Sequence, residues 1–557
     1  MKRLRWYDYL SVNLFWLGLN IRNTALGSIF MPYLVQLFVP AASINSALGG
    51  MRSAGLVIAM LVQPAAGLMS DRSTSRFGRR RPYILVGALL DCLFLAAIAL
   101  AWNYWALLIA VLLIQFSSNI SHGPLQGLIP DLVPEDQRGR ASAVKSVMEL
   151  LPIILVGLTI AKLVGAGHLD WAIIATAASL LVVTLITLIF VKETPLQEKP
   201  STPFWPPMVR VLGMLAGILI GGAAGLLAAG LVGGLAGLVT LALADTRTAM
   251  AVGVGIGGAV SMVVAVVVGV WAGSLATLGE DARRRGSFVW WIVNRLMFLA
   301  AATSLQGSIF YFVMYAFRLD GEGASGLTGS LTSIIGIFIL VTALASGWIA
   351  DRVGRKRLVG ISGVVAGVGN LLLLSTIWMP NLIMIYVAGT IIGVGTGLFM
   401  TANWALGTDL APREEAGRYL GVSNLAGAGA GIVGAGIGGL VADYLNGFRP
   451  GLGYFTIFAC YALLFVLSSI SLRQVRQEGM NTSSTAHGQA CPASDSFQTT
   501  RQSQRLALRN GLHSPRACAP RVGGADGRCE LAHVISDGET ASAAELAQSY
   551  LSDAARG

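Results

Sequence analysis

"GLMSDRSTSRFGRRRP", Gly67 to Pro82, sets five arginines and one aspartate between two long apolar runs, and a thinner copy, "GWIADRVGRKR", recurs at Gly347 to Arg357. The surrounding chain explains why charge gathers there. Of 557 residues, 54% are hydrophobic and only 12% charged, with a formal net charge of +11 and a mean hydropathy of +0.68. A soluble domain carries about a quarter charged residues, so this is the composition of a membrane protein. Strict alternation, the mark of a β-barrel, is missing; the expected fold is an all-α polytopic bundle, because helices satisfy their own backbone in lipid.

About 20 apolar residues cross a bilayer as a helix. Spans are expected over residues 9–38, 48–70, 82–101, 104–132, 142–166 and 170–191, then over 288–317, 328–350, 357–377, 381–408, 418–443 and 453–472. Between the two sets, Met208 to about Leu278 is almost pure Gly, Ala, Leu and Val. Its first run suits one tilted helix or a broken pair, its second one helix. The expected domains are a six-helix half over 1–192, a linker with a two-helix insert over 193–286, a second six-helix half over 287–472, and a disordered tail over 473–557.

Loop charge gives orientation. "MKRLR", "PEDQRGR", "DARRRG" and the two arginine loops carry most of the basic residues, whereas "VPAASINSA", "WNYW" and "WMPN" carry none. Basic loops stay in the cytoplasm, which places both termini inside and suits a plasma (inner) membrane protein. The opening run is read as the first span: its apolar character continues to Phe38 without a small-residue cleavage site. Charge confined to loops leaves no nucleic-acid partner to expect.

Cys92 and Cys460 fall within spans and Cys491, Cys518 and Cys529 in the tail, so no disulfide framework is expected. "GAGIVG" at Gly429 and "GVGIGG" at Gly253 fit a dinucleotide fingerprint, but each lies inside an apolar helix rather than after a strand. Their glycines, like the pairs Gly427 and Gly431, Gly221 and Gly225, and Gly230 and Gly234, suit close helix packing instead. There is no phosphate loop, metal-binding His pair or Gly-x-Ser-x-Gly elbow, so neither an enzyme nor an ATP-driven pump is expected, and no metal or cofactor.

The two halves share a second motif. "PDLVPEDQRGR" aligns with "TDLAPREEAGR", pairing Asp131 with Asp409, Pro134 with Pro412, Gly139 with Gly417 and Arg140 with Arg418 at an offset of 278 residues, while Asp71 and Asp351 pair at 280. Near-equal offsets in separate motifs mean a tandem duplication. Such repeats are typical of carriers whose substrate lies between the halves.

The paired Gly-x-x-x-Asp-Arg…Gly-Arg loops resemble the signature of the major facilitator superfamily. The form Ser-Asp-Arg-x-x-Ser-x-Phe-Gly-Arg-Arg-Arg-Pro is similar to that of the plant sucrose transporters, the proton-coupled sugar carriers of solute carrier family 45 and the glycoside-pentoside-hexuronide:cation symporters. The resemblance covers roughly residues 10–192 and 288–472. It implies proton-coupled (or sodium-coupled) symport of a sugar or glycoside by alternating access. It also implies a cytoplasmic latch between the halves, built from Gly67, Asp71, Arg72, Gly78, Arg79 and Arg80 with Gly347, Asp351, Arg352, Gly354 and Arg355. In it, each aspartate would sit against a helix N-terminus of the opposite half.

Ionisable groups within spans are functional candidates, because charge in hydrocarbon is costly. Asp91 lies near the midplane and is read either as a proton-exchanging carboxyl or as an acid neutralised by Arg22. The resemblance assigns proton coupling to Asp131; a loop-capping role is the other reading. Glu149 can couple or simply pair with Lys145 four residues earlier. Gln115, Asn119, His122 and Gln126 form a polar stripe along one helix, and Arg295, Gln306, Tyr311, Tyr315, Asn403 and Trp404 are candidates for sugar contact, amides for hydroxyls and aromatic faces for C–H surfaces. Two other functions stay open: a proton-coupled efflux antiporter of small amphipathic compounds, suggested by the two-span insert, and a transporter-like receptor signalling through its tail.

Overall fold

The computed structural model describes residues 4–193, 195–196, 205–411 and 416–476, without the side chains of 416–418, 420–421, 424–426 and 428. The expected tail lies outside the described residues from 477 on, as do Pro412 and the side chain of Arg418. Among the described residues the first half contains six long rods. Helix α1 runs from Trp6–Ala25 through a π-helical segment, Leu26–Phe30, into Met31–Phe38. It is followed by α2 (Ile44–Asp71), α3 (Arg81–Ala99), α4 (Tyr104–Gln126), α5 (Arg138–Leu158, bending into Ile160–Gly165) and α6 (Leu169–Phe190).

The insert is a hairpin of α7 (Trp205–Ala228, continuing to Leu241) and α8 (Thr246–Leu278). The second half holds α9 (Gly286–Phe317), α10 (Gly321–Val353), α11 (Arg355–Leu374), α12 (Leu382–Leu410), α13 (Ala416–Phe448) and α14 (Leu452–Ser471). The fold is thus two six-helix halves with two helices between them. Among the described residues, twelve helices are long and apolar enough to cross a membrane by length and composition. Several outrun their expected spans: at 33 residues, α10 is roughly 50 Å long. Hydropathy marks the hydrocarbon stretch, whereas the helix continues into the interface.

Local chemistry sets where the helices begin. The side chains of Asn103, Asp320 and Asn381 accept backbone N–H bonds from Ala106, Gly323 and Met384 at 2.8, 2.8 and 3.1 Å, capping α4, α10 and α12. Asp245 caps α8 in the same way. Hydrogen bonds from the Thr248 hydroxyl at 2.6 Å and from the Thr248 N–H at 3.1 Å hold its carboxyl below the usual carboxylate range. All four caps lie at the end of the bundle opposite the arginine loops.

Two cross-half pairs hold the bundle together, α2 against α13 and α5 against α10, while the insert hairpin leans on α13 through α8. Within the hairpin, Gly217, Gly221 and Gly225 meet Gly273, Gly269 and Ser261; a Cβ on Gly221 would lie 2.5 Å from the Ala265 carbonyl. Of the expected packing pairs, Gly221 and Gly225 are used, whereas Gly230 and Gly234 face open space. Gly221→Val is therefore expected to pry the hairpin apart at a cost of about 1–3 kcal/mol, readable as a lower unfolding temperature in detergent, with Gly230→Val close to neutral.

Candidate functional site

Arg22 on α1 and Asp91 on α3 are both fully buried, with the guanidinium Nη2 3.1 Å from the carboxylate Oδ2. Helix α4 completes the group. Ser117 donates its hydroxyl to Asp91, and Arg22 donates to the Ser118 hydroxyl. Ions leave water at a cost of several kcal/mol each, and only close pairing with further hydrogen bonds offsets it. Three helices of the first half therefore supply one polar knot, in which the acid and the base expected from the sequence neutralise each other. Next to it, His122 meets the Trp16 ring edge-on at 5.2 Å, and the Lys145 ammonium lies 4.2 Å from the same ring centroid. Lys145 also pairs with Glu149 at 3.2 Å; Gln126 is exposed and Asn119 donates back to the Gln115 carbonyl at 2.6 Å.

One residue along from Arg22, a cavity of about 270 Å³ opens between the halves. Asn23, Thr24, Ser28, Arg52 and Gln115 line it from the first half, Thr303 and Gln306 from the second, with Leu26, Met31 and Leu56 among its apolar walls. The π-helical segment shapes this wall: Arg52 donates to the Gly27 carbonyl within it, and Gln306 donates to Ser28 at 2.9 Å. Gly307 leaves room for the Arg52 guanidinium here, since a Cβ would fall 1.9 Å from its Nη1 and displace it. The cavity thus presents amides, hydroxyls and one cation, with apolar walls between them. Sequence reasoning placed Gln306 and Gln115 among the candidates but passed over Arg52, although an arginine inside an apolar run is the signal that singled out Arg22. Thr24, Ser28 and Thr303 gave no such signal, because hydroxyls on helices usually bond their own backbone.

Other candidates go elsewhere. Asn403 is fully buried and ties helices of the second half: it donates to Asn294 Oδ1 at 2.8 Å, and its side-chain oxygen accepts from Arg295 Nη1 at 3.1 Å. Its carbonyl accepts from Trp291 Nε1 at 3.0 Å, and Asn294 donates to the Ser468 carbonyl at 2.8 Å. The Arg295 guanidinium also lies 5.1 Å from the Trp404 ring centroid, a cation–π contact. Asn403→Ala is expected to cost about 1–3 kcal/mol by stranding buried amides, visible as a lower melting temperature whether or not a sugar is present. Tyr311 is buried and donates to the Pro32 carbonyl of the other half at 3.0 Å, and Tyr315 packs on Tyr454 with ring centroids 5.4 Å apart.

In this structure the arginine loops bind their own halves rather than each other's. Arg80, 7% exposed, reaches Asp71 at 2.7 Å and also pairs with Asp131, which Arg79 holds from the other side. Arg80 further donates to Ser70 and to the Pro124 carbonyl, both at 3.3 Å. Room for its guanidinium comes from Gly127, where a Cβ would sit 1.9 Å from Arg80 Cζ. Asp131 is therefore a clamp residue within its half. The second half repeats the design: Gly354 turns with φ of 94°, as Gly78 does with φ of 100°, and the following residue, Arg355 like Arg79, takes the repeat aspartate, here Asp409. Arg352 stacks on Trp348 at 3.7 Å from the ring centroid; Asp351 and Arg140 are exposed. A Cβ on Gly67 would lie 3.8 Å from the Gly123 backbone, in ordinary contact, and one on Gly347 would face open space.

The Major Facilitator Superfamily family model matches residues 17–321 and 296–508. Among curated relatives, Sucrose transport protein SUT1 of Oryza sativa subsp. japonica is 30% identical over 187 residues, 27% of this chain and 35% of that protein. Proton-associated sugar transporter A of Homo sapiens is 31% identical over 193 residues, 28% and 25% of the two chains. Minor myo-inositol transporter IolF of Bacillus subtilis is 29% identical over 157 residues, 28% and 34%. The matches thus span about a third or less of these relatives' length. In fold, the chain is similar to a solved POT peptide transporter, with a TM-score of 0.59 at 15% identity over 85% of this chain and 95% of that one. The POT family transporter PepTSo gives a TM-score of 0.59 at 12% identity, covering 86% and 100%. Together with the duplicated arginine-loop motif and the paired six-helix halves, the family match over more than half of the sequence establishes that the chain belongs to the major facilitator superfamily.

Proposed function

We propose that this protein is a proton-coupled symporter of a sugar or glycoside, working by alternating access with both termini and the arginine loops on the cytoplasmic side of the plasma membrane. The cavity between the halves carries the reading. Its amides on Asn23, Gln115 and Gln306 and its hydroxyls on Thr24, Ser28 and Thr303 suit a ligand dense in hydroxyl groups, and its apolar walls suit C–H faces. The names of the relatives, which speak of sucrose, sugar and myo-inositol, support the same class.

Asp91 is the proton site in this reading. Protonation removes the charge that holds Arg22, freeing the guanidinium beside Asn23 at the cavity wall; loss of the proton draws it back into the pair. Asp131, held by two arginines at the loop end, serves structure. The test is uptake of labelled sucrose and of labelled myo-inositol into proteoliposomes under an inward proton gradient, with and without a protonophore. Gradient-driven uptake of either, abolished by the protonophore, is the expected result. Folded protein that takes up neither above empty liposomes overturns the substrate class; uptake indifferent to the protonophore overturns the coupling.

A further inference from the structure

The contacts between the halves lie toward the end opposite the arginine loops. Tyr311 reaches Pro32 and Gln306 reaches Ser28, joining α1 to α9. Ser333 on α10 donates to the Ile154 carbonyl of α5 at 3.0 Å, where Gly157 and Gly329 let the two backbones approach closely. At the arginine-loop end the first half keeps an apolar cluster of its own, including Phe15, Trp16, Leu19, Leu125 and Leu180, without a residue of the second half.

The start of α2 is the most strongly tied point. Ser43, at its N-cap position, makes no side-chain capping bond. The cap comes from the other half: Asp443, near the end of α13, accepts from the Asn45 N–H at 3.2 Å, the Asn45 side-chain amide at 2.8 Å, and the Ser46 N–H and hydroxyl at 2.7 Å each. Asp443 is 9% exposed. A carboxylate at a helix N-terminus is favoured both by the dipole and by charge-assisted bonds to orphan N–H groups. Next to it, a Cβ on Gly439 would lie 2.3 Å from the Asn45 carbonyl and one on Gly49 2.2 Å from the Ala435 carbonyl, so the backbones meet without side chains between them.

We infer that Asp443 is a releasable clasp: the trans-acting N-cap of α2 that keeps the bundle shut at the end opposite the arginine loops and that must let go when the halves open there. Four other helices that begin at this end carry their caps in their own sequence, as α4, α8, α10 and α12 do. A cap supplied by the opposite half is lost when the halves part, leaving N–H groups that water can satisfy. The clasp therefore stores a bias toward one access state without blocking the other. The inference rests on the alternating-access reading, but its test needs no substrate.

Spin labels are placed on Ala42→Cys and Gly447→Cys across the clasped end, and in a second preparation on Thr74→Cys and Val353→Cys at the arginine-loop end, in the full-length chain with its native cysteines replaced, in lipid nanodiscs. Pulsed-dipolar distances are then compared between the parent and Asp443→Asn. Losing the charge-assisted cap is expected to raise the ratio of long to short distances at the clasped end by about tenfold, and Asp443→Glu to restore it. Should Asp443→Asn fold poorly, Asn45→Ala with Ser46→Ala removes two of the four donors and is expected to move the same ratio in the same direction. Unchanged clasped-end distances in folded protein overturn the clasp. A clasped end that opens while the arginine-loop end stays fixed keeps the clasp and overturns alternating access.

Discussion

Asp91→Asn is expected to abolish gradient-driven uptake and to destabilise the protein by about 3–5 kcal/mol, the cost of leaving one member of a buried ion pair without its partner. Thermal unfolding in detergent reads the second effect and proteoliposome uptake the first. A decisive comparison is the double variant Arg22→Met with Asp91→Leu. Apolar replacements of similar size often match or exceed the stability of a buried pair, so the double variant is expected to regain the parent's unfolding temperature while remaining unable to concentrate substrate. If it transports against a gradient like the parent, the pair is only a structural tie and the proton enters elsewhere.

Arg80→Gln is expected to have the larger effect among the loop arginines. Its guanidinium joins Asp71, Asp131, Ser70 and the Pro124 carbonyl at a site only 7% exposed. Losing it takes a partner from Asp131, which Arg79 still holds, and from Asp71, which is 45% exposed, and leaves the buried Ser70 and Pro124 acceptors without a donor, for about 1–3 kcal/mol. Arg80→Lys is expected to rescue little, because an ammonium cannot reproduce the planar fork that serves several acceptors together. The twin in the second half provides the control: Arg355 and Asp409 are 38% and 36% exposed, and Arg355→Gln is expected to cost about 1 kcal/mol or less. Equal losses for the two variants, measured as unfolding temperature and as yield of monodisperse protein, would show that the loops hold the halves equally and that burial is not what sets their strength.

The fold was legible because the bilayer imposes a length on every crossing segment and because the duplication left two copies of a charged loop to compare. Arg22 and Asp91 were legible for the same reason, as charges where charge is costly. Partner choice was harder to read. Asn403 has the chemistry of a sugar-binding residue, yet it is fully buried and its amide is taken up by Asn294 and Arg295. Tyr311 likewise closes on Pro32. Asp71 was recognisable as a partner for the loop arginines, but both loops, with and without the four extra residues, pair within their own half, Arg80 with Asp71 and Asp131 and Arg355 with Asp409, a choice that spacing along the chain does not announce. Asp443 drew no notice beside the midplane charges: near a helix end, an aspartate looks like ordinary interface polarity until the opposite half is in place.

The π-helical segment at Leu26–Phe30 sets the register of the rest of the first helix. A π turn holds one residue more than an α turn, so removing a single residue from it returns an unbroken α-helix and rotates everything beyond by about 100°. Ser28, Met31 and Pro32 would leave their present neighbours together, taking the Gln306 and Tyr311 contacts with them. One extra residue in the first helix thus sets both the cavity wall, with the Gly27 carbonyl that Arg52 bonds, and the surface on which Gln306 and Tyr311 of the second half rest.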